Sequence, residues 1–195
     1  MNIKKLLTFI IIVLITTISI IVFLNIKRTK NYKIGNNSNS QEIIDSILNI
    51  NSYEAIIEVE VRSNKNINRY KIKQIYNGKD NNSQEILEPS NVSGIKIIKE
   101  DNNLKLENSN LNLTNLLQNY EHISDNMLDL NSFIDTYKND INSKWEEKDN
   151  NIVMKNSNRI LYINKNTGMP EKMEILNNDK KTAIYILYNE VKVNS

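Results

Sequence analysis

The chain has 195 residues, a formal net charge of +2 and no cysteine, which excludes disulfides, thiolate zinc sites, thiol catalysis and a lipid-modified N-terminal cysteine. Six basic residues precede the first acid, Glu42, so the rest of the chain holds 19 basic and 23 acidic residues. This mildly acidic remainder argues against nucleic acid as a partner and against a broad footprint on anionic membranes.

An uncharged segment from Leu6 to Leu24 opens the chain. Its roughly 19 apolar residues suffice for a helix that crosses a bilayer. No small-residue cleavage site follows the segment, so residues 1–30 are interpreted as a membrane anchor with one transmembrane helix, an uncleaved signal-anchor rather than a removed signal peptide. The large apolar side chains expected to contact lipid are Leu6, Phe9, Ile12, Leu14, Ile20, Phe23 and Leu24.

The orientation of this anchor is not set by its charged flanks, because three basic residues lie close behind it and two in front. A large following domain translocates largely regardless of such charges. We therefore expect a polar tether over residues 31–39 and one extracytoplasmic domain over residues 40–195.

A short helix is predicted at the start of this domain. Ser38, followed three residues later by Gln41, is typical of a capping box that opens a helix. An apolar stripe at helical spacing follows, consisting of Ile43, Ile44, Ile47 and Leu48. We expect this stripe to pack on a sheet, although it would also suit a partner-binding face.

Alternating apolar and polar residues from Tyr53 to Leu113 predict antiparallel strands. The strand segments read YEAIIEVEV, YKIKQIY, QEIL, GIKIIKE and NLKLE, and residues typical of turns separate them.

The charges of the first two strands suggest their register. A turn over Ser63–Asn68 would pair Glu60 with Lys71 and Glu58 with Lys73 on one face. Both carboxylates are then solvated cross-strand partners rather than a catalytic acid pair.

Two further helices are predicted after these strands. The first has the stripe Leu113, Leu116, Leu117 and Tyr120, and the second has Leu130, Phe133, Ile134, Tyr137 and Ile141. The second is the better amphipath and should lie across the concave side of the sheet as a plug, which would account for the apolar face of the preceding strands.

Strands resume in the C-terminal part of the chain. They are predicted over Trp145–Met154, Arg159–Asn164, Met173–Leu176 and Thr182–Val193. The last strand is apolar on both faces, which predicts the plug on one side and another covering element on the other. The fold class is therefore α+β: a curved antiparallel half-barrel with a helical plug.

The sequence holds no recognisable reaction centre. His122 is the only histidine, and no Gly-rich phosphate loop, nucleophile elbow or calcium loop is found. We predict no enzyme activity, no catalytic residues, no metal and no cofactor.

Two stretches resemble a known family. The end, INKNTGMPEKMEILNNDKKTAIYILYNEVKVN, resembles the lipoprotein-carrier (LolA/LolB-like) fold family, and the likeness covers most of Gln41 to Asn194. The middle, YKIKQIYNGKDNNSQEILEPSNVSGIKIIKEDNNLKLENSNLNLTNLL, is most similar to the clostridial germination lipoprotein GerS and its relatives. The lipobox cysteine of those lipoproteins is missing, so the apolar segment would have to anchor the domain.

The resemblance implies a LolA-like half-barrel that does not catalyse a reaction. For GerS relatives it implies a partner that binds and licenses an N-acetylmuramoyl-L-alanine amidase, so that spore cortex peptidoglycan acquires muramic-δ-lactam and is degraded at germination. The chain would then sit in the cell membrane or the forespore membrane. An open sheet with exposed edges suits such an adaptor, and it would also allow strand exchange within a homodimer.

The alternative function is binding of a lipid or lipoprotein acyl chain in a LolA-like apolar cavity. The residues predicted to line either that cavity or a closed core are Ile57, Val59, Val61, Ile72, Phe133, Ile134 and Tyr137. A fixed transmembrane anchor suits a lipid shuttle poorly, which favours the adaptor. A sensory ectodomain fits less well, because few residues precede the anchor to carry a cytoplasmic signal.

Overall fold

Two helices and an eleven-stranded sheet make up the described part of the chain. This part comprises, in a computed structural model, residues 39–63, 65–78, 81–100, 103–118 and 127–194. The predicted anchor, most of the tether and His122 lie outside these ranges. Within them, no helix combines the length and apolarity that a membrane span requires.

The strands form one open antiparallel sheet. The helices are α1 (Ser40–Leu48) and α2 (Leu130–Asn139), and the strands are β1 (Ser52–Arg62), β2 (Ile67–Asn77), β3 (Asn81–Glu88), β4 (Ile95–Glu100), β5 (Asn103–Asn108), β6 (Leu113–Leu117), β7 (Lys144–Lys148), β8 (Asn151–Lys155), β9 (Arg159–Asn164), β10 (Pro170–Leu176) and β11 (Thr182–Asn194). Their order across the sheet is β6-β5-β4-β3-β2-β1-β11-β10-β9-β8-β7. The first and last strands of the domain therefore pair at its centre, while β6 and β7 form its two edges. The predicted antiparallel sheet with helices is confirmed.

Helix α1 begins one residue later than the capping box predicts. Its N-cap is Asn39, whose side chain accepts a hydrogen bond from the backbone N–H of Gln41 at 3.1 Å. Serine and asparagine are about equally good N-caps, so the sequence does not separate the two positions. The predicted stripe is buried, since Ile43, Ile44 and Ile47 are at most 2% exposed.

Helix α2 is the predicted plug, but it is shorter than its apolar stripe. Leu130 and Phe133 are fully buried. The helix ends at Asn139 because Asp140 adopts an extended backbone and accepts a hydrogen bond from the N–H of Ser157 at 2.7 Å. Ile141 therefore lies beyond the helix and is 97% exposed.

The helix predicted from Leu113 onward is wrong over Leu113–Leu117, which forms strand β6. Tyr120, the last residue of its predicted stripe, lies outside the described residues. Spacings of three and four residues fit a helix, but Thr114 and Asn115 between the leucines have low helix propensity. In the strand, Leu113 and Leu117 lie on one face and Leu116 on the other.

One predicted strand is a hairpin. Trp145–Met154 divides into β7 and β8 at a turn in which Asp149 adopts a positive φ of 53°. Asp is among the few non-glycine residues that tolerate this conformation. The prediction of Arg159–Asn164 is confirmed with the same bounds, and β10 and β11 extend slightly beyond their predicted ends.

The register of the first hairpin differs from the prediction by two residues. Glu58 lies opposite Lys71, and Glu60 lies opposite Arg69. A shift of two residues leaves every side chain on its original face, so the alternation of apolar residues does not distinguish the two registers. The turn is tighter than predicted, because the N–H of Ser63 bonds to the carbonyl of Asn66 at 2.9 Å.

Both helices pack on one face of the sheet, and this face holds the core. The core side chains from the strands are Tyr53, Ala55, Ile57, Val59, Ile72, Tyr76, Ile152, Met154, Leu161, Ile163, Met173, Ile175, Ile186 and Tyr188. The predicted second covering element is absent from the described residues, since Leu187 on the opposite face of β11 is 45% exposed.

Candidate partner-binding face

The helix-bearing face of the sheet continues past the helices. One row of directly opposed residues runs across five strands from Gln74 through Gln84, Ile97 and Leu106 to Asn115. Opposed residues share a face of the sheet. Gln74 is 1% exposed, whereas Ile97 and Leu106 are 40% and 43% exposed. The helical cover therefore ends before β4, and the plug does not account for the apolar face of the outer strands.

Two leucines of β6 extend this uncovered surface to the edge of the sheet. Leu117 lies opposite Leu104, in the row beside Ile97 and Leu106, and Leu113 lies on the same side. Leu113 is 61% and Leu117 38% exposed. We call Ile97, Leu106, Leu113 and Leu117 the arm face. Exposed apolar side chains grouped on one face of a sheet are typical of an interaction site.

The two edges of the sheet differ in charge. The β7 edge reads KWEEK, and its carboxylates are engaged: Glu146 pairs with Lys155, and Glu147 pairs with Lys165. The hydrogen bond from Lys165, followed by one from Ser40, lowers the pKa of Glu147. Charged edges discourage pairing with other chains. The β6 edge, which reads LTNLL, carries no charge.

Two turns fix the shape of the outer strands. Gly94 in the turn between β3 and β4 has a φ of +79°, and its carbonyl accepts the N–H of Ser109 at 3.1 Å. The side chain of Asn110 donates to the carbonyl of Ser93 at 2.7 Å. A Cβ at Gly94 would lie 2.6 Å from the Ser109 hydroxyl oxygen, so the two turns meet at a glycine.

The start of α2 is held on the sheet by polar contacts. Asp129 accepts hydrogen bonds from the amides of Gln74, at 3.2 Å, and of Gln84. The N–H of Leu130 donates to the hydroxyl of Tyr53 at 3.2 Å. Burial, followed by the nearby charge of Asp129, raises the pKa of Tyr53 well above its ordinary value.

A buried arginine fixes the same helix from the other side. Arg159 of β9 is 3% exposed. Its guanidinium donates to the hydroxyl and the carbonyl of Ser132, at 3.0 and 2.9 Å, and to the hydroxyl of Thr136. The plug is therefore fastened by directional bonds as well as by apolar contacts.

The residues predicted to line a cavity or core lie in the plug itself and on the strands it covers. Five of them belong to the core cluster and are at most 7% exposed: Ile57, Val59, Ile72, Phe133 and Ile134. Val61 and Tyr137 are partly buried and pack against that cluster. The predicted lipid-contacting residues of the anchor lie outside the described residues.

A pocket of about 510 Å³ lies on the opposite face of the sheet, beside Leu187. Glu60 accepts hydrogen bonds there from Arg62 at 2.7 Å and Arg69 at 2.9 Å. These bonds lower the pKa of Glu60, and Arg62 also stacks on the ring of Tyr185 at 4.1 Å. A carboxylate held ionised by two arginines is unsuited to act as a general acid. Among the described residues no group of three His, Cys, Asp or Glu side chains could hold a metal ion.

The arm face is not expected from the sequence, in which the plug accounts for the whole apolar side of the strands. The alternation in GIKIIKE and NLKLE correctly predicts the strands that carry Ile97 and Leu106. The charge-free run LTNLL is the available signal for an unprotected edge, although its leucine spacing also fits a helix.

Comparisons with known proteins agree with the sequence motifs. The chain matches the family described as YdcC-like sporulation proteins over residues 3–195. A comparison with curated proteins finds no match.

Several solved structures are similar to the chain. A chain in the structure of the CwlD amidase from Clostridioides difficile in complex with the GerS lipoprotein is 23% identical, with 79% of this chain and 95% of that chain covered and a TM-score of 0.47. The LolA superfamily protein NE2245 from Nitrosomonas europaea is 12% identical, with coverages of 81% and 94% and a TM-score of 0.40. An uncharacterized conserved protein from Thermus thermophilus is 13% identical, with coverages of 80% and 88% and a TM-score of 0.49. The LolA superfamily and the GerS complex are thus both among the proteins that the chain resembles.

Proposed function

Because the chain belongs to the family of YdcC-like sporulation proteins, we propose that it is a non-catalytic accessory protein that binds a cell-wall enzyme. The partner is an N-acetylmuramoyl-L-alanine amidase, which the protein licenses for modification of the spore cortex and hence for germination. The choice of an amidase rests on the sequence motifs shared with GerS and its relatives.

The arm face is the observation that carries the proposal. Ile97 of β4 and Leu106 of β5 are exposed, although Gln74, which lies in the same row beside the helices, is buried. Apolar side chains at the centre of an interface, surrounded by polar residues, are the usual source of binding energy between proteins. The surface is therefore suited to a protein partner.

We also propose that the protein is anchored in a membrane. The apolar segment from Leu6 to Leu24 would hold the domain on the extracytoplasmic side of the cell or forespore membrane, where peptidoglycan is modified. A fixed anchor would keep the bound amidase close to that membrane.

Binding of a lipid acyl chain is the second candidate, since the exposed apolar side chains of the arm face would also suit a lipid. The core beneath the plug is less suited to it, because Phe133 and Ile134 are packed into that space and Arg159 fastens the helix above it. A lipid bound there would have to displace these side chains, whereas a protein bound to the arm face would not.

Binding of the purified sporulation amidase of the same host to the full-length chain in nanodiscs tests the proposal. Leu106→Asp should weaken binding by about tenfold or more. Leu187→Asp is the matched control, because Leu187 is 45% exposed on the opposite face and Leu106 is 43% exposed. The proposal is wrong if the wild-type chain does not bind the amidase, and one acyl chain per purified protein by mass spectrometry would favour the lipid alternative.

A further inference from the structure

We propose that the amidase binds by strand addition: one of its strands pairs with β6, extends the sheet to a twelfth strand and lays apolar side chains over the arm face. This inference rests on the proposed function, and it adds how the partner is recognised. The recognised element is a strand of about five residues, the length of β6, since a pairing cannot extend beyond the edge that supports it.

The difference between the two sheet edges carries the inference. Among the described residues each edge strand pairs on one side only, so both present backbone N–H and C=O groups outward. On β7 the residues Glu146 and Glu147 are held by Lys155 and Lys165, which places ion pairs along that edge. An incoming strand at β7 would have to displace or desolvate those charges. On β6 there is no charge to displace.

The side chains of β6 define what the added strand should carry. Leu113, Asn115 and Leu117 lie on the helix-bearing side, and Thr114 and Leu116 lie on the other. Residues of an added strand that lie directly opposite would come within about 5 Å of these side chains. The best-fitting strand therefore has uncharged residues throughout and apolar residues at the alternate positions that face the arm.

The exposure of the β6 side chains supports binding of another strand at this edge. All five residues of β6 are exposed, with Leu113 at 61% and Leu116 at 51% on opposite faces. Leu111, in the turn before the strand, is 64% exposed. Monomeric proteins avoid an uncharged edge strand with leucines exposed on both faces. Such a strand therefore indicates that another chain covers it in the functional complex.

Amide hydrogen exchange of the full-length chain, with and without the purified amidase, tests strand addition. Pairing should slow exchange of the outward-facing amides of Leu113–Leu117 by about tenfold or more, whereas contact of side chains alone would leave them unchanged. The alternation of N–H groups along a strand means that protection should appear at every second residue.

Proline substitutions provide the matched variants. Thr114 and Asn115 are neighbours, so one of them directs its N–H toward β5 and the other directs it outward. Of Thr114→Pro and Asn115→Pro, the one that removes the outward N–H should weaken amidase binding by about tenfold or more and leave the melting temperature unchanged. On β7, whichever of Glu146→Pro and Glu147→Pro removes an outward N–H is the matched control, and it should not weaken binding.

The outcomes separate the two proposals. Absence of amidase binding by the wild-type chain overturns both. Binding without protection of the β6 amides, or binding that neither proline variant weakens, overturns strand addition and leaves the proposed function standing. Protection of β6 without amidase, in a species with the mass of a dimer, assigns the edge to a second copy of this chain and also overturns strand addition.

Discussion

Arg159 of β9 donates a hydrogen bond from its guanidinium Nη1 to the hydroxyl of Ser132 in α2, 3.0 Å away, across the interface between sheet and plug. Its Nη2 donates to the carbonyl of the same residue at 2.9 Å. The arginine thus bonds to both the side-chain hydroxyl and the backbone carbonyl of one helical residue. The plug is set in one position on the sheet by this contact, since apolar packing alone would tolerate small displacements.

Arg159→Met should therefore destabilise the protein by about 1–3 kcal/mol, because it leaves polar groups of α2 buried without their donor. Chemical denaturation measures the free energy of unfolding. Lys155→Met is the control: Lys155 pairs with Glu146 at the protein surface, and such pairs contribute little to stability. Equal losses in the two variants would contradict a structural role of the buried arginine.

Phe133→Ala tests whether the space beneath α2 is a packed core. Phe133 is fully buried, and its ring lies 5.7 Å from that of Tyr137. Removing a buried phenylalanine side chain costs about 3–5 kcal/mol when the surrounding core does not collapse. Ile141→Ala, at a residue that is 97% exposed, should change stability by less than about 0.5 kcal/mol. A loss below about 1 kcal/mol for Phe133→Ala would indicate a cavity that already tolerates an absent side chain.

Strands in which apolar and polar residues alternate, such as Arg159–Asn164, could be predicted from the sequence. The plug helix around Phe133 could be predicted as well. The register between Glu58 and Lys71 could not, because a shift of two residues satisfies the same pattern of faces. The edge strand at Leu113–Leu117 could not either, since five residues with leucines at mixed spacing fit a helix and a strand alike. The arm face depends on how many strands the helices cover, which is a property of tertiary packing.

Engineered disulfides test the observed register, and a chain without native cysteine suits the experiment. Glu58 and Lys71 are directly opposed, so the pair Glu58→Cys with Lys71→Cys should oxidise readily, since opposed Cα atoms fall within the range that a disulfide spans. Glu60→Cys with Lys71→Cys represents the register predicted from sequence. Those positions are diagonal neighbours about 7–8 Å apart and should cross-link poorly. Preferential oxidation of the second pair, measured by thiol titration, would contradict the structure.

Alanine substitutions at two glycines distinguish two costs of adding a Cβ: strain of the backbone and a clash with a neighbouring side chain. Gly78 and Gly94 both adopt positive φ, at 85° and 79°, but only Gly94 has neighbours where a Cβ would be placed. Gly78→Ala should cost about 1–2 kcal/mol from the left-handed backbone alone. Gly94→Ala should cost more, because the new Cβ would displace Ser109 and open the contact between the two turns. Equal unfolding free energies for the two variants would show that this contact contributes nothing.

The dependence of the unfolding free energy on pH, in the acid range, tests the contact between Asp140 and Ser157 at the end of α2. Hydrogen bonds from Ser157, followed by the N–H of Asn142, lower the pKa of Asp140 from 3.8 to about 2. A carboxyl whose pKa is lower in the folded state adds stability above its unfolded pKa, and that stability is lost as the pH falls through the folded pKa. Asp140→Asn should therefore be less stable than the wild type at neutral pH, and the difference should shrink between about pH 4 and pH 2. Denaturant unfolding of both proteins across this range measures the effect, and a difference that stays constant would mean that the ionised carboxylate does not hold the turn at Ser157.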